Sequence, residues 1–275
     1  MSKKKVTKTV TTTITEEIVD NQSNKTHIIC ILDRSGSMSS VAQDAIGGFN
    51  KFLKDQKETE GEATMTVTLF DNEYTPLYDG KAIPLKDVQE LNDKTFVPRG
   101  STALYDAIGR TIARTKEDFN KMSSSERPDK VLVLIVTDGE ENSSHEYTQN
   151  QIKDIISDMK KKDWQFIFLC STEDAATRAS SMGISFGNTF HFTNTSSGNA
   201  TLYANISNAT KLYRSATVGS AAYSAVSDNI MTYATSNISH VDDIKLDGVS
   251  NSQSITTNGG GTSTSTDITD GKAES

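Results

Sequence analysis

Two apolar runs, each ending in a carboxylate, restrict this chain more than any other feature. Ile28-Ile29-Cys30-Ile31-Leu32 leads into Asp33, and Val131-Leu132-Val133-Leu134-Ile135-Val136 leads through Thr137 into Asp138. Runs of this length with no polar alternation read as strands covered on both faces. A sheet covered on both faces needs helices above and below it, which points to an α/β architecture with a parallel centre. In such sheets, ligands bind beyond the carboxyl ends of the strands. Both runs place an acidic residue at that end.

The turns behind the runs carry further oxygen. Asp33-Arg34-Ser35-Gly36-Ser37 offers one carboxylate and two hydroxyls within five residues, and Gly36 eases a tight backbone path. Thr137-Asp138-Gly139 closes the second run. Between them, Arg99-Gly100-Ser101-Thr102 precedes a helical pattern of Leu104, Ala107, Ile108, Thr111 and Ile112. Thr102 is therefore expected on a loop or first helical turn, with its hydroxyl facing the sheet's rim. Together the segments bring Asp33, Ser35, Ser37, Thr102 and Asp138 toward one crevice. Oxygen-only donors with few charges suit a hard divalent cation, Mg²⁺ or Mn²⁺, better than zinc.

Over roughly residues 26 to 214 the chain resembles the von Willebrand factor A (VWA) family with its metal-ion-dependent adhesion site, in the manner of intracellular bacterial or phage members. The resemblance is carried by Asp33-Arg34-Ser35-Gly36-Ser37-Met38, Gly100-Ser101-Thr102-Ala103-Leu104 and Thr137-Asp138-Gly139. It implies that Ser35, Ser37 and Thr102 are hydroxyl ligands, and that Asp33 and Asp138 coordinate directly or through water. It also implies a non-enzymatic role, in which an Asp or Glu carboxylate from a partner protein completes the coordination of the ion.

Charge and composition narrow the partners. The formal net charge of −8 argues against non-specific nucleic-acid binding, which requires a basic footprint. The basic run Lys160-Lys161-Lys162 falls at the expected end of a helix, where cations offset the macrodipole. Cys30 and Cys170 both lie in expected strands and read as buried thiols rather than a disulfide. No apolar stretch approaches the roughly 18 residues of a membrane span, and no secretory signal is recognisable. The expected compartment is cytoplasmic, or the virion if the chain is phage-encoded.

Along the chain, residues 1–25 form a Lys/Thr-rich arm with alternating β-branched residues, and 26–214 form the domain. Residues 215–275 form a Ser/Thr/Asn/Gly-rich extension, too poor in apolar surface from about 251 to order itself alone. The domain reads as a doubly wound, mostly parallel sheet with one antiparallel edge strand. Its expected elements are a helix from Ser40 with a Ser40–Gln43 capping box, a strand over 63–70 and a short strand over 74–78. They continue with a helix over 102–120, a strand over 131–137, a helix over 148–161 and a strand over 166–170. A short helix through Arg178, an edge strand within 184–192 and a closing helix carrying Leu202, Ile206, Ala209 and Tyr213 complete it. Ser220 to Thr235 would prolong a helix, with Val226, Ile230 and Tyr233 as its apolar stripe.

Other chemistries fit less well. Gly183-Ile184-Ser185-Phe186-Gly187 matches the letters of a nucleophile elbow, but a helix precedes it and a strand follows, the reverse of the required order. The four histidines share no metal-ligand spacing, and no phosphate-cradling Gly-rich loop occurs. Glu140 and Glu141 read as a solvated rim beside Asp138, with a structural role at the metal as the alternative, and Trp164 and Tyr147 as packing residues. Two rivals to the interaction module stand. One is a structural subunit of a larger assembly, held through its arm and tail. The other is a metal-dependent hydrolase with Asp138 as base, disfavoured because the resembled family is mostly non-catalytic.

Overall fold

In the computed structural model, which describes residues 24–193, 195–228 and 230, the chain opens with β1 (Thr26–Asp33), α1 (Ala42–Lys57), β2 (Ala63–Phe70) and β3 (Tyr74–Pro76). It continues with β4 (Ile83–Pro84), α2 (Leu104–Lys121), β5 (Lys130–Thr137), α3 (Gln149–Lys160) and β6 (Trp164–Cys170). α4 (Ala175–Ser181), β7 (Thr189–His191), α5 (Ser196–Ser215) and α6 (Ala221–Asp228) follow. The sheet order is β3-β2-β1-β5-β6-β7, with β4 also on β2. β1, β2, β5, β6 and β7 are parallel, while β3 and β4 run antiparallel to β2. This is the expected doubly wound, mostly parallel sheet, with two short antiparallel pieces at its edge instead of one. β3 ends at Pro76 rather than 78 because Tyr78 and Asp79 take left-handed backbone conformations (φ 54° and 52°) that no strand continues through.

The two apolar runs become neighbours, with Ile28 opposite Leu132 and Leu32 opposite Val136. Strand alternation then divides their side chains between two cores. Ile28, Cys30, Leu32, Leu132 and Leu134 face α1, α5 and α6, while Ile29, Ile31, Val133 and Ile135 face α2, α3 and α4. Each such side chain removed from water contributes about 1.5–3 kcal/mol. Covering both faces is what makes the runs continuous. Cys30 and Cys170 are both buried free thiols.

Helix starts follow local chemistry, although not always where expected. A 3-10 turn over Gly36–Ser40 occupies the residues behind β1, so α1 begins at Ala42, and its flanking Val41 makes no side-chain cap. The Ser40–Gln43 box therefore does not form. A capping box does form at Thr148 and Gln151, where each side chain engages the other's backbone N–H at the start of α3. The edge strand expected within 184–192 is only Thr189–His191, because a helical turn at Phe186–Asn188 uses up the approach. The elbow-like Gly183–Gly187 follows α4 and precedes β7, as the sequence order implied.

Past 214, Tyr223, Val226 and Ile230 are buried in the same core as α1 and α5. The 1–23 arm, Tyr233 and the tail from 251 lie outside the described residues. Among the described residues no helix is long and apolar enough to cross a membrane.

His27, on β1, gives the domain a built-in acid sensitivity. It is fully buried, with Nδ1 2.7 Å from Thr64 Oγ1 and Nε2 3.2 Å from Thr66 Oγ1, and it meets the Phe119 ring edge-on. Burial pulls its pKa down to about 3. The unfolded chain, titrating near 6.5, binds a proton between these values that the folded state refuses, so stability falls as pH drops through that window. By pH 4.5 this one group removes about 3 kcal/mol. Urea unfolding at pH 7 and 4.5 should show a markedly smaller acid loss for His27→Gln than for wild type. Equal losses would refute the assignment.

Candidate metal centre

The rim beyond β1 and β5 collects the residues that the sequence singled out. Asp33 ends β1 and is buried, and both its oxygens are engaged. Oδ1 accepts the Ser35 N–H at 2.7 Å, and Oδ2 accepts the Thr137 hydroxyl at 2.6 Å. Ser35 Oγ lies 3.1 Å from Ser37 Oγ, which in turn donates to Asp138 Oδ1 at 2.7 Å. Thr102 completes the set. A Cβ built on Gly139 would lie 3.0 Å from Thr102 Oγ1, 3.4 Å from Ser37 Oγ and 3.6 Å from Ser35 Oγ. Three hydroxyls from two loops therefore surround one point on the third. Only a residue without a side chain leaves that space open.

Electrostatics match this geometry. Burial, and then the nearby Asp138 carboxylate, push the Asp33 pKa up to about 6 against the hydrogen bonds from Thr137 and Ser35 that pull it down. Two carboxylates and three hydroxyls form an oxygen-only donor set of the kind hard divalent cations take. Among the described residues no group of three or more His, Cys, Asp or Glu side chains converges. An ion at this rim would rest on the mixed set, which fits it in donor type and in the space around Gly139.

Surrounding contacts hold the three loops in register. The first and second loops are joined by Gly36 N–H to Gly100 O at 3.1 Å and Arg99 N–H to Arg34 O at 2.9 Å. Gly100 has φ +66°, and a Cβ there would lie 1.8 Å from Asn72 Oδ1, so no other residue fits without displacing Asn72. Asp71, at the end of β2, receives Arg34 Nε at 2.9 Å and Arg99 Nε at 3.0 Å, and Arg99 also pairs with Glu73. The third loop grips Thr102 from both sides. Asn142 Oδ1 accepts the Thr102 N–H at 2.9 Å, while the Asn142 N–H donates to Thr102 O at 3.0 Å. From α4, Arg178 Nη1 donates to Gly139 O at 2.6 Å.

Several of these supports were not legible in the sequence. Glu140 is exposed as expected, but Glu141 is not a solvated rim residue. Its carboxylate accepts the Tyr105, Ser143 and Ser144 N–H groups and the Ser144 hydroxyl, tying the start of α2 to the third loop. Asp106 does the same from the helix side, accepting the His145, Glu146 and Tyr147 N–H groups at 2.9 Å. Burial alone would raise its pKa, but those three donors outweigh it and hold the carboxyl below the usual range. Asp106, in the first turn of α2, carries a readable signal, whereas the loop it grips does not, and Glu141 lies in that loop.

No protein-family model matches the chain, and no curated protein matches its sequence. Among solved structures, a von Willebrand factor type A protein from Catenulispora acidiphila aligns at 14% identity and TM-score 0.48, over 69% of this chain and 43% of its own. Proximal thread matrix protein 1 from the mussel byssus, with a zinc-occupied MIDAS motif, aligns at 14% identity and TM-score 0.47, over 70% and 46%. The manganese-loaded TRAP protein of Plasmodium vivax aligns at 13% identity and TM-score 0.39, over 59% and 64%. The match thus spans less than half the length of the first two.

Proposed function

We propose that this chain is a metal-dependent protein-interaction module. In this reading Asp33, Ser35, Ser37, Thr102 and Asp138 hold one Mg²⁺ or Mn²⁺, and an Asp or Glu carboxylate of a partner protein completes its coordination. The observation that carries the reading is the convergence of Ser35, Ser37 and Thr102 hydroxyls on the open space at Gly139, with Asp138 hydrogen-bonded to the same cluster.

The chemistry favours binding over catalysis. Both Asp33 oxygens already accept protein donors, so much of that carboxylate's charge is spread into Ser35 and Thr137 rather than left for an ion. Three of the five donors are neutral. A bound cation would supply positive charge that an acidic side chain from outside satisfies. The role of the chain's residues is then to hold and present that charge on a rigid rim, which the ties through Asn142, Glu141 and Arg178 accomplish.

Thermal unfolding tests the metal directly. A ligand that binds only the folded state at a hundred times its Kd adds about 2.7 kcal/mol, which for a domain of this size raises Tm by roughly 5–10 °C. Millimolar Mg²⁺ or Mn²⁺ should raise the melting temperature above that in EDTA. An unchanged melting temperature with both ions would remove the metal from the mechanism. Capture of a partner from the native host should likewise be lost in EDTA.

A further inference from the structure

We infer that a second site lies at the other end of the sheet, where a cavity of about 310 Å³ takes a small organic anion with a flat apolar body. The cavity opens where β5 and β6 begin, and its apolar lining is Phe119, Val131, Met159 and Trp164. Phe119 and Trp164 meet edge-to-face at 5.9 Å, which leaves ring surfaces of the two to form a wall. Its volume is at the lower end of the range for small-molecule sites, enough for one ring and a headgroup.

Charge selects the ligand. Lys116, Arg127 and Lys162 line the cavity against a single carboxylate, Asp129. Among the described residues none of the three cations makes a side-chain hydrogen bond or a close ion pair. Asp129 is already engaged, accepting the Lys25 N–H at 2.8 Å. The nearby Asp158 is paired with Lys161, and the charges of Lys116 and Lys162 also act on its carboxylate. Three cations around an aromatic-walled cavity, none of them in a close ion pair among the described residues, are notable in a chain of net charge −8. Lys162 follows the end of α3 and Lys116 lies near that of α2, where their charges also offset the helix dipoles, whereas Arg127 belongs to neither helix. Guanidinium and ammonium groups are the usual partners of phosphate and carboxylate headgroups, and the ring-lined floor suits the body attached to them.

The reporter is already in place, because Trp164 is the chain's single tryptophan. The full chain would be titrated with phenyl phosphate in EDTA, so that the rim beyond Asp138 plays no part, while Trp164 emission is followed. Inorganic phosphate and phenol serve as half-ligand controls. Phenyl phosphate should give a saturable change with half-saturation on the order of 1 mM or below. Each half-ligand should need at least about tenfold more. The double variant Arg127→Gln/Lys162→Gln, altered only at exposed side chains, should keep its circular dichroism spectrum and weaken phenyl phosphate by about tenfold or more. Three results would overturn the site. One is no saturable change. The second is inorganic phosphate matching phenyl phosphate, which means an adventitious ion only. The third is phenol matching it with the double variant unaffected, which means an apolar crevice only.

Discussion

Asp138→Ala is expected to abolish the Mg²⁺- or Mn²⁺-dependent rise in melting temperature and the metal-dependent capture of a partner, while leaving the fold intact. Asp138 follows β5 at the rim, and its contact with Ser37 joins two loops rather than supporting either core. Its loss removes one of the two charges that would hold the ion. It also relieves repulsion on Asp33, so the metal-free variant should melt at or slightly above the wild-type temperature in EDTA. Thr102→Ala removes only a neutral oxygen, and the backbone of Thr102 remains gripped by Asn142. It should lose partner binding as well, with Thr102→Ser restoring much of it. Scanning calorimetry with Mg²⁺ and with EDTA, and circular dichroism as the folding control, separate these effects. If both alanine variants fold and still bind metal and partner as wild type does, the rim is not the binding site. The rival reading, assembly through the arm and tail, would then take its place.

The largest loss of stability is expected at Lys130, far from that rim. Its side chain is fully buried, and Nζ donates to the carbonyls of Tyr213 at 2.9 Å, Arg214 at 2.6 Å and Ala216 at 2.8 Å. An ammonium has three N–H donors, and here all three are matched by acceptors at the end of α5. The positive charge also meets the negative end of that helix's dipole. Lys130→Met keeps most of the volume but leaves the carbonyls of Tyr213 and Ala216 dry. The Arg214 carbonyl retains the Asn24 side-chain amide at 2.9 Å. Two stranded acceptors and a lost charge-assisted contact should cost about 3–5 kcal/mol. For a domain of this size that lowers Tm by roughly 10 °C. Urea unfolding that shows a loss below about 1 kcal/mol would mean the carbonyls find other donors.

Arg214 shows why such latches escape a reading of residues along the chain. It is buried, and its guanidinium donates to the Gln56 carbonyl at 2.6 Å and the Gly61 carbonyl at 2.9 Å, closing the turn between α1 and β2. As letters, Lys130 and Arg214 are ordinary surface residues near element ends. Their partners lie more than eighty positions away, so no local pattern exposes them. Glu141 and Asp106 escaped for the same reason. The Tyr105 N–H reaches Glu141, and the His145 to Tyr147 N–H groups reach Asp106, only when α2 docks on the sheet.

What the sequence determined by itself was the sheet and the candidate residues at its rim. Uninterrupted apolar runs can be covered only by helices on both faces, and a carboxylate at the end of each run must emerge at the same rim once the strands lie parallel. Residue type and order were therefore enough to select Asp33, Ser35, Ser37, Thr102 and Asp138. The tertiary structure alone decided that the Ser35, Ser37 and Thr102 hydroxyls meet at one point, because the meeting depends on the bare Cα of Gly139 and on Asn142 gripping Thr102 from the third loop. It alone also decided the cationic cavity beneath Trp164, whose lining comes from the far ends of helices and strands that share no sequence signal. Local pattern sets which face of an element is buried. Which elements become neighbours is settled by the long-range docking of those faces, and sites assembled across several elements follow from it.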